Sequence, residues 1–256
     1  LDLDMSSDYG PIHFGVWRSG MQDGKTAVSL AKRIDQSPHL TLDGVMGYEA
    51  QIAGLGDANA SQKVMSRVIR LLKKRSVPEV AQRRAHVIAE LEAAGLSLRF
   101  VNGGGTGSLH TTSQETAVTE VTAGSAFFAP LLFDHYQDFQ FQPAAGYAIQ
   151  IVRQPKPGTY TCLGGGYPAS GQTGPDKSPQ PYLPIGARLD SNEGAGEVQT
   201  PIHYTGSEEL ALGDPIFMRH AKAGELCERF ERLLLVRNGR VQESVTTYRG
   251  DGQCFL

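Results

Sequence analysis

An α/β architecture is predicted: part of a parallel (β/α)8, TIM-type barrel, followed by a mostly antiparallel β domain. Three observations predict it. Strand-like and helix-like runs alternate from Leu1 to about Leu132, the order that builds a parallel sheet. A glycine-rich turn, Gly103-Gly104-Gly105-Thr106-Gly107, follows an apolar run, as at the strand ends of barrel enzymes. Beyond Phe133 the segments become short, β-rich and separated by Gly/Pro-dense loops. The boundary is expected near residues 133–145, with a first domain over 1–135 and a second over 136–256. A closed eight-stranded barrel needs about 200 residues or more, so the first 130 can supply only part of one.

Taken in order, Leu1-Asp2-Leu3-Asp4-Met5 alternates apolar and acidic residues, the period of a half-buried strand. A polar loop over Ser6–Gly20 follows. It contains Arg18 beside Trp17, the chain's single tryptophan, and such a pair is ordinarily a surface stacking contact. Ala27, Leu30, Ala31 and Ile34 recur at helical spacing. A second strand is expected over Leu40–Glu49, with Tyr48 at its C-terminal end. Residues 61–95 form the most strongly helical segment. Val64, Val68, Leu71 and Leu72 are expected to mark its inner face, with basic residues on the solvated remainder. Ser76-Val77-Pro78-Glu79 resembles a new capping box, so a break is predicted there, and Gly95 ends the second helix. Leu96–Phe100 is expected to be a strand running into the glycine turn, and Ala117–Ser125 another. In the second half, strands are expected at Tyr147–Val152, Gly158–Leu163, Pro215–Arg219, Phe230–Val236 and Val241–Tyr248. Arg237-Asn238-Gly239-Arg240 is a hairpin turn.

The composition excludes several function classes. There are 24 Lys and Arg against 27 Asp and Glu, a net charge of −3, which leaves no electrostatic footprint for nucleic acid. No apolar stretch is long enough to cross a membrane, and no signal peptide is visible. Cys162, Cys227 and Cys254 are widely spaced and odd in number, so a reducing, cytoplasmic setting is expected.

The chemistry-bearing groups are few. In the glycine turn, backbone N–H groups can approach an anion closely, and the Thr106 and Ser108 hydroxyls can add donors. The spacing fits neither a Walker loop nor a dinucleotide fingerprint, so a phosphate-bearing cofactor at a strand end is the better expectation. In the second half, Arg219-His220-Ala221-Lys222-Ala223-Gly224-Glu225-Leu226-Cys227 places a histidine near Glu225 and Cys227, a sparse metal-ligand set. Lys222 could serve as an acid/base group, a carboxylate contact or a solvated lysine.

Several motifs together carry a resemblance. Asp2-Leu3-Asp4 with Arg18-Ser19-Gly20, Gly47-Tyr48-Glu49, the glycine turn, Gly213-Asp214-Pro215 before His220, and Tyr248-Arg249-Gly250 resemble the D-threonine aldolase and D-serine dehydratase group of fold-type III pyridoxal-phosphate (PLP) enzymes. That group is related to alanine racemase. Gly165–Gly171, Gly196–Thr200 and His220–Leu226 are similar to its amino acid deaminase/aldolase branch. The resemblance implies that Gly104, Gly105, Thr106 and Gly107 hold the cofactor phosphate, that Arg18 lies beside the cofactor ring, and that Tyr48 lines the pocket. It implies His220 as a ligand to zinc or manganese, although the usual second ligand is replaced by Lys222. An ammonium cannot coordinate a metal, so Lys222 would instead supply the charge, and Lys222 and His220 become the catalytic candidates. The lysine that attaches the cofactor lies, in the family, before the part resembled by Leu1. The chain is therefore expected to be the C-terminal part of a longer enzyme. The activity implied is a lyase cleaving or deaminating D-hydroxy-amino acids, in a homodimer. The alternatives are a non-catalytic PLP-binding or interaction homologue without the lysine, and an amino acid racemase.

Overall fold

The computed structural model of the chain describes residues 1–172 and 174–253. Cys254 lies outside the described residues. The chain divides into two compact units: Leu1–Gly124 with His135–Gln140, and Ser125–Asp134 with the chain from Phe141 on.

The first unit is built on a parallel sheet. β1 (Asp2–Leu3) leads into a small hairpin, β2 (Ser7–Tyr9) and β3 (Ile12–Phe14), within the stretch expected as loop. Helix α1 (Gly24–Asp35) starts where the Asp23 carboxylate accepts the Thr26 N–H at 2.9 Å, an N-cap that satisfies one orphan donor. It buries Ala27 and Ala31. Then come β4 (Gly44–Gly47), the short α2 (Ala50–Ala53), the long α3 (Lys63–Ala93), β5 (Phe100–Gly103), α4 (Leu109–Thr112) and β6 (Glu120–Val121). The sheet order is β1-β4-β5-β6, all parallel. Leu3, Met5, Val45 and Val101 pack against α1 and α3 through Ala27, Ala31, Val80, Val87, Ile88 and Leu91. Each such Leu or Val burial contributes roughly 1.5–3 kcal/mol.

Two expectations about α3 are corrected. The helix runs unbroken through Pro78. The capping box does not form because its residues are taken by tertiary contacts. The Ser76 hydroxyl bonds Ser7 Oγ at 3.1 Å and accepts from Gln51 Nε2 at 3.0 Å, while Glu79 accepts from Arg83 and Tyr9. The inner face also differs. Val64 and Leu71 are 75% and 70% exposed, and Val68 is exposed too. The buried positions are Ser66, Lys73, Ser76, Val80, Arg84, Val87, Ile88 and Leu91. In the first half of α3 the apolar stripe thus faces outward. A smaller shift concerns the strand before the glycine turn, whose ladder begins only at Phe100, paired with Gly44.

The second unit holds a six-stranded antiparallel sheet. Its strands are β7 (Tyr147–Lys156), β8 (Thr159–Leu163), β9 (Gln180–Leu183), β10 (Ala187–Leu189), β11 (Gln199–Tyr204) and β12 (Pro215–Arg219), ordered β10-β11-β8-β7-β12-β9. Tyr147, Ile149 and Ile151 alternate inward along β7, onto Tyr160, Cys162, Ile202, Ile216 and Met218. Helix α5 (Ala223–Arg229) adds Leu226 to this core. The hairpin of β13 (Arg232–Arg237) and β14 (Arg240–Thr246) turns at Asn238 and Gly239, both with positive φ, +52° and +70°, as a type I′ turn requires. This is the expected class: part of an α/β barrel, then an antiparallel β domain.

Candidate active site

The register of the parallel sheet aligns its strand ends. Leu3 pairs with Gly47, Gly47 with Gly103, and Gly103 with Val121. Asp4, Tyr48 and Gly104 therefore follow at one carboxyl edge, where α/β folds place their sites. Here the structure brings Arg18 and Tyr48 together: the guanidinium lies 5.2 Å from the Tyr48 ring centroid. Trp17 stacks instead on His13, at 3.7 Å between centroids, so the pairing of Arg18 with its sequence neighbour does not occur. Burial raises the Tyr48 pKa, against the opposing charge of Arg18. Asp4 borders the same recess. Burial disfavours its charge, yet bonds from Gln22 and Ser6 outweigh that and lower its pKa.

The glycine turn sits beside Tyr48. Gly104 has φ +89°, a left-handed conformation that favours glycine. A Cβ on Gly105 would stand 2.8 Å from Ala53 Cβ and 2.9 Å from Tyr48 Cε2; one on Gly107 would strike the Ala53 carbonyl and Tyr136. The Gly107 N–H donates to Ala53 O at 3.0 Å, and Tyr136 Oη donates to the same oxygen at 2.9 Å. The Gly105 N–H goes to Ser108 Oγ at 3.1 Å. Among the described residues the Thr106 N–H and hydroxyl have no hydrogen-bond partner, although Thr106 is buried. They are the donors this turn leaves open, on a backbone kept bare of side chains.

Beneath the turn lies a charged network absent from the sequence reading. Arg84, fully buried, donates to Glu49 Oε2 at 2.7 Å, to Gly47 O at 3.1 Å, and to Glu115. Glu49 Oε1 accepts from Ser108 Oγ at 2.6 Å and Thr112 Oγ1 at 2.5 Å. Glu115 has its pKa raised by burial, opposed by Arg84. Sequence spacing gave no sign of this, because Arg84 reads as one of many basic residues on α3. The adjacency of Glu49 to Tyr48 at a strand end was the available signal.

His220 and Lys222 lie in the second unit, at the end of β12 and the N-cap of α5. His220 is fully buried and neither ring nitrogen has a hydrogen-bond partner among the described residues. Burial, aided by the charge of Arg219, lowers its pKa to about 4. The Lys222 N–H donates to Glu225 Oε1 at 2.6 Å, and Lys222 Nζ donates to Ser170 O at 3.2 Å. Burial raises the Glu225 pKa, and its Oε2 has no partner. Among the described residues no group of three or more His, Cys, Asp or Glu could hold a metal ion.

No protein-family profile matches the chain. In sequence it is 27% identical over 117 residues to a 3-hydroxy-D-aspartate aldolase of Paracoccus denitrificans, covering 46% of this chain and 27% of that one. In structure it is similar to D-threonine aldolase from Filomicrobium marinum, with TM-score 0.75 and 21% identity over 94% of this chain and 62% of that chain. The D-threo-3-hydroxyaspartate dehydratase from Delftia sp. HT23 gives TM-score 0.64 at 18% identity, over 94% and 63%. The alanine racemase from Bacillus anthracis gives 0.56 at 16%, over 98% and 67%. The chain thus spans about a quarter of the curated relative and some three fifths of the first two of these structures. It carries the fold of the D-threonine aldolase and alanine racemase structures over that part of their length.

Proposed function

We propose that the chain is part of a PLP-dependent lyase acting on D-hydroxy-amino acids, of D-threonine aldolase or D-serine dehydratase type. The observation that carries the reading is the open donor pair of Thr106 on the bare glycine turn, with Arg18 and Tyr48 at the same strand edge. A phosphate dianion fits that donor set, since glycine turns let N–H groups approach closely. Thr106 would donate to it, while Gly104, Gly105 and Gly107, without side chains, would let it approach the turn, with Tyr48 as one wall. When bound, PLP supplies an electron sink for bonds at the substrate α-carbon. Arg18 would place a fixed positive charge beside the bound cofactor, and the Glu49–Arg84 network braces the turn through Ser108. Lys222 presents a cation where the resembled family has a metal ligand, and no metal step is included. The reading also includes a cytoplasmic homodimer, as the resemblance implies. Light scattering on the purified protein checks the dimer.

The test is equilibrium dialysis of PLP against the protein and its Thr106→Val variant. A loss of about tenfold in affinity is expected for one charge-assisted hydrogen bond. Unchanged affinity removes the assignment of the turn. Turnover of D-threonine to glycine and acetaldehyde, against D-serine to pyruvate and ammonia, separates aldolase from dehydratase.

A second reading is a cofactor-binding homologue without lyase activity. Each lysine of the first unit lies on a helix, Lys25 and Lys32 on α1 and Lys63, Lys73 and Lys74 on α3, and none at the strand edge. Borohydride reduction followed by intact mass decides: a lysine adduct on a polypeptide of the active preparation supports the lyase, and an unmodified, inactive preparation supports the binder.

A further inference from the structure

Within the first unit, a cavity of about 370 Å³ opens between the middle of α3, α4 and the segment around Tyr136. It shares no lining residue with the recess at Arg18 and Tyr48, and of the glycine turn only Gly107 lines it. Ile52, Val77, Pro78 and the Tyr136 ring form its apolar part. Three cations face it. Lys73, 8% exposed, places Nζ 3.1 Å from Asp57 Oδ2 and 4.2 Å from the Tyr136 ring centroid. Arg70 gives one guanidinium N–H to the Asp57 backbone oxygen, and Lys74 has no ion-pair partner among the described residues.

The charges do not balance. Asp57 and Asp138 are the carboxylates of the lining, one fewer than its three Lys and Arg side chains. Asp57 is fully engaged, its Oδ1 accepting the Gln137 N–H at 2.9 Å. Lys73 retains donors beyond the one used by Asp57; burial lowers its pKa, and Asp57 opposes the shift. A dianion would over-compensate one surplus charge and approach two carboxylates. A monoanion would not, and the apolar walls favour one with a compact hydrophobic body.

We propose that this cavity is a second small-molecule site, binding a monocarboxylic acid with an aryl or branched aliphatic body, its carboxylate held by Arg70, Lys73 and Lys74. The proposal does not rest on the cofactor reading. The probe is benzoate, titrated into the protein by ligand-observed NMR, with benzyl alcohol as the uncharged partner of the same shape. Lys73 is not the residue to substitute, because Asp57 would be left buried and unpaired. Lys74→Glu and the pair Arg70→Gln/Lys74→Gln act at less buried positions, and circular dichroism verifies their fold. Lys32→Gln on α1 serves as a surface control. Expected are saturable benzoate binding, a loss of about tenfold or more in both variants, none in the control, and a similar loss for benzyl alcohol. No saturable binding by about 20 mM overturns the site. Equal affinity for benzyl alcohol, or no effect of the charge variants, overturns the recognition proposed.

Discussion

Arg84 shows how much one side chain can hold. It is fully buried between two carboxylates, Glu49 and Glu115. Removing one partner of a buried network leaves charges uncompensated, at about 3–5 kcal/mol. Arg84→Met is therefore expected to lower the unfolding free energy by that amount, read from urea unfolding, and to loosen the glycine turn that Glu49 braces through Ser108. His220 makes the opposite point. Its ring nitrogens have no hydrogen-bond partner among the described residues, so His220→Phe costs little at pH 7. Unfolded, the imidazole titrates near 6.5; folded, near 4. Between those values the unfolded chain holds the extra proton. Stability is complete above pH 6.5 and falls as the pH drops toward 4, by roughly 3 kcal/mol. Urea unfolding from pH 7 to 4.5 should show this slope, and His220→Phe should flatten it. A slope unchanged in the variant assigns the acid sensitivity to other groups.

At the scale of the element, α3 separates what local pattern can and cannot reveal. Its existence and its end at Gly95 follow from spacing. Its inner face in the first half does not, because Ser66 and Lys73 bond Asn59 and Asp57 in the segment before the helix and Ser76 bonds Ser7 and Gln51 farther along the chain. Nothing in the periodicity of Val64, Val68 and Leu71 announces that a polar stripe wins the interior. Exposed substitutions usually change stability by less than about 0.5 kcal/mol, so Val64→Gln and Leu71→Gln should leave thermal unfolding nearly unchanged. Pro78 deprives the helix of one backbone donor at its middle. Pro78→Ala is expected to stabilise the unit by about 1–3 kcal/mol, read from the urea midpoint. A decrease would mean that the proline ring's packing outweighs the missing bond.

For the molecule as a whole, the sequence alternation was enough to read a parallel sheet and then an antiparallel one. The strand-end positions of Tyr48 and the glycine turn were legible too, because both are local properties of a strand and the turn after it. The Glu49–Arg84 network and the 370 Å³ cavity were not, since their residues converge only through tertiary packing. Least legible was the return of His135–Gln140 to the first unit after Ser125–Asp134 had joined the second. That return brings Tyr136 to Ala53 O, Gln137 to Asp57, and His135 O to the Asp57 and Ala58 N–H groups. A fragment of residues 1–124 lacks all of these, and losing one buried aromatic alone costs about 3–5 kcal/mol. It should unfold at lower urea than a fragment of residues 1–140; equal midpoints would deny the segment a structural part.

The same return sets a schedule for the newborn chain. Ala53 and Tyr136 are 83 positions apart, and a domain made vectorially at about 5–20 residues per second can close no contact whose second half is still unsynthesised. For about one to three seconds after β6 leaves the ribosome, the glycine turn would stand without Tyr136 against it and Lys73 without its aromatic cover. Over that interval the lyase reading has its phosphate loop present but unbraced, so cofactor capture belongs after residue 140 has emerged.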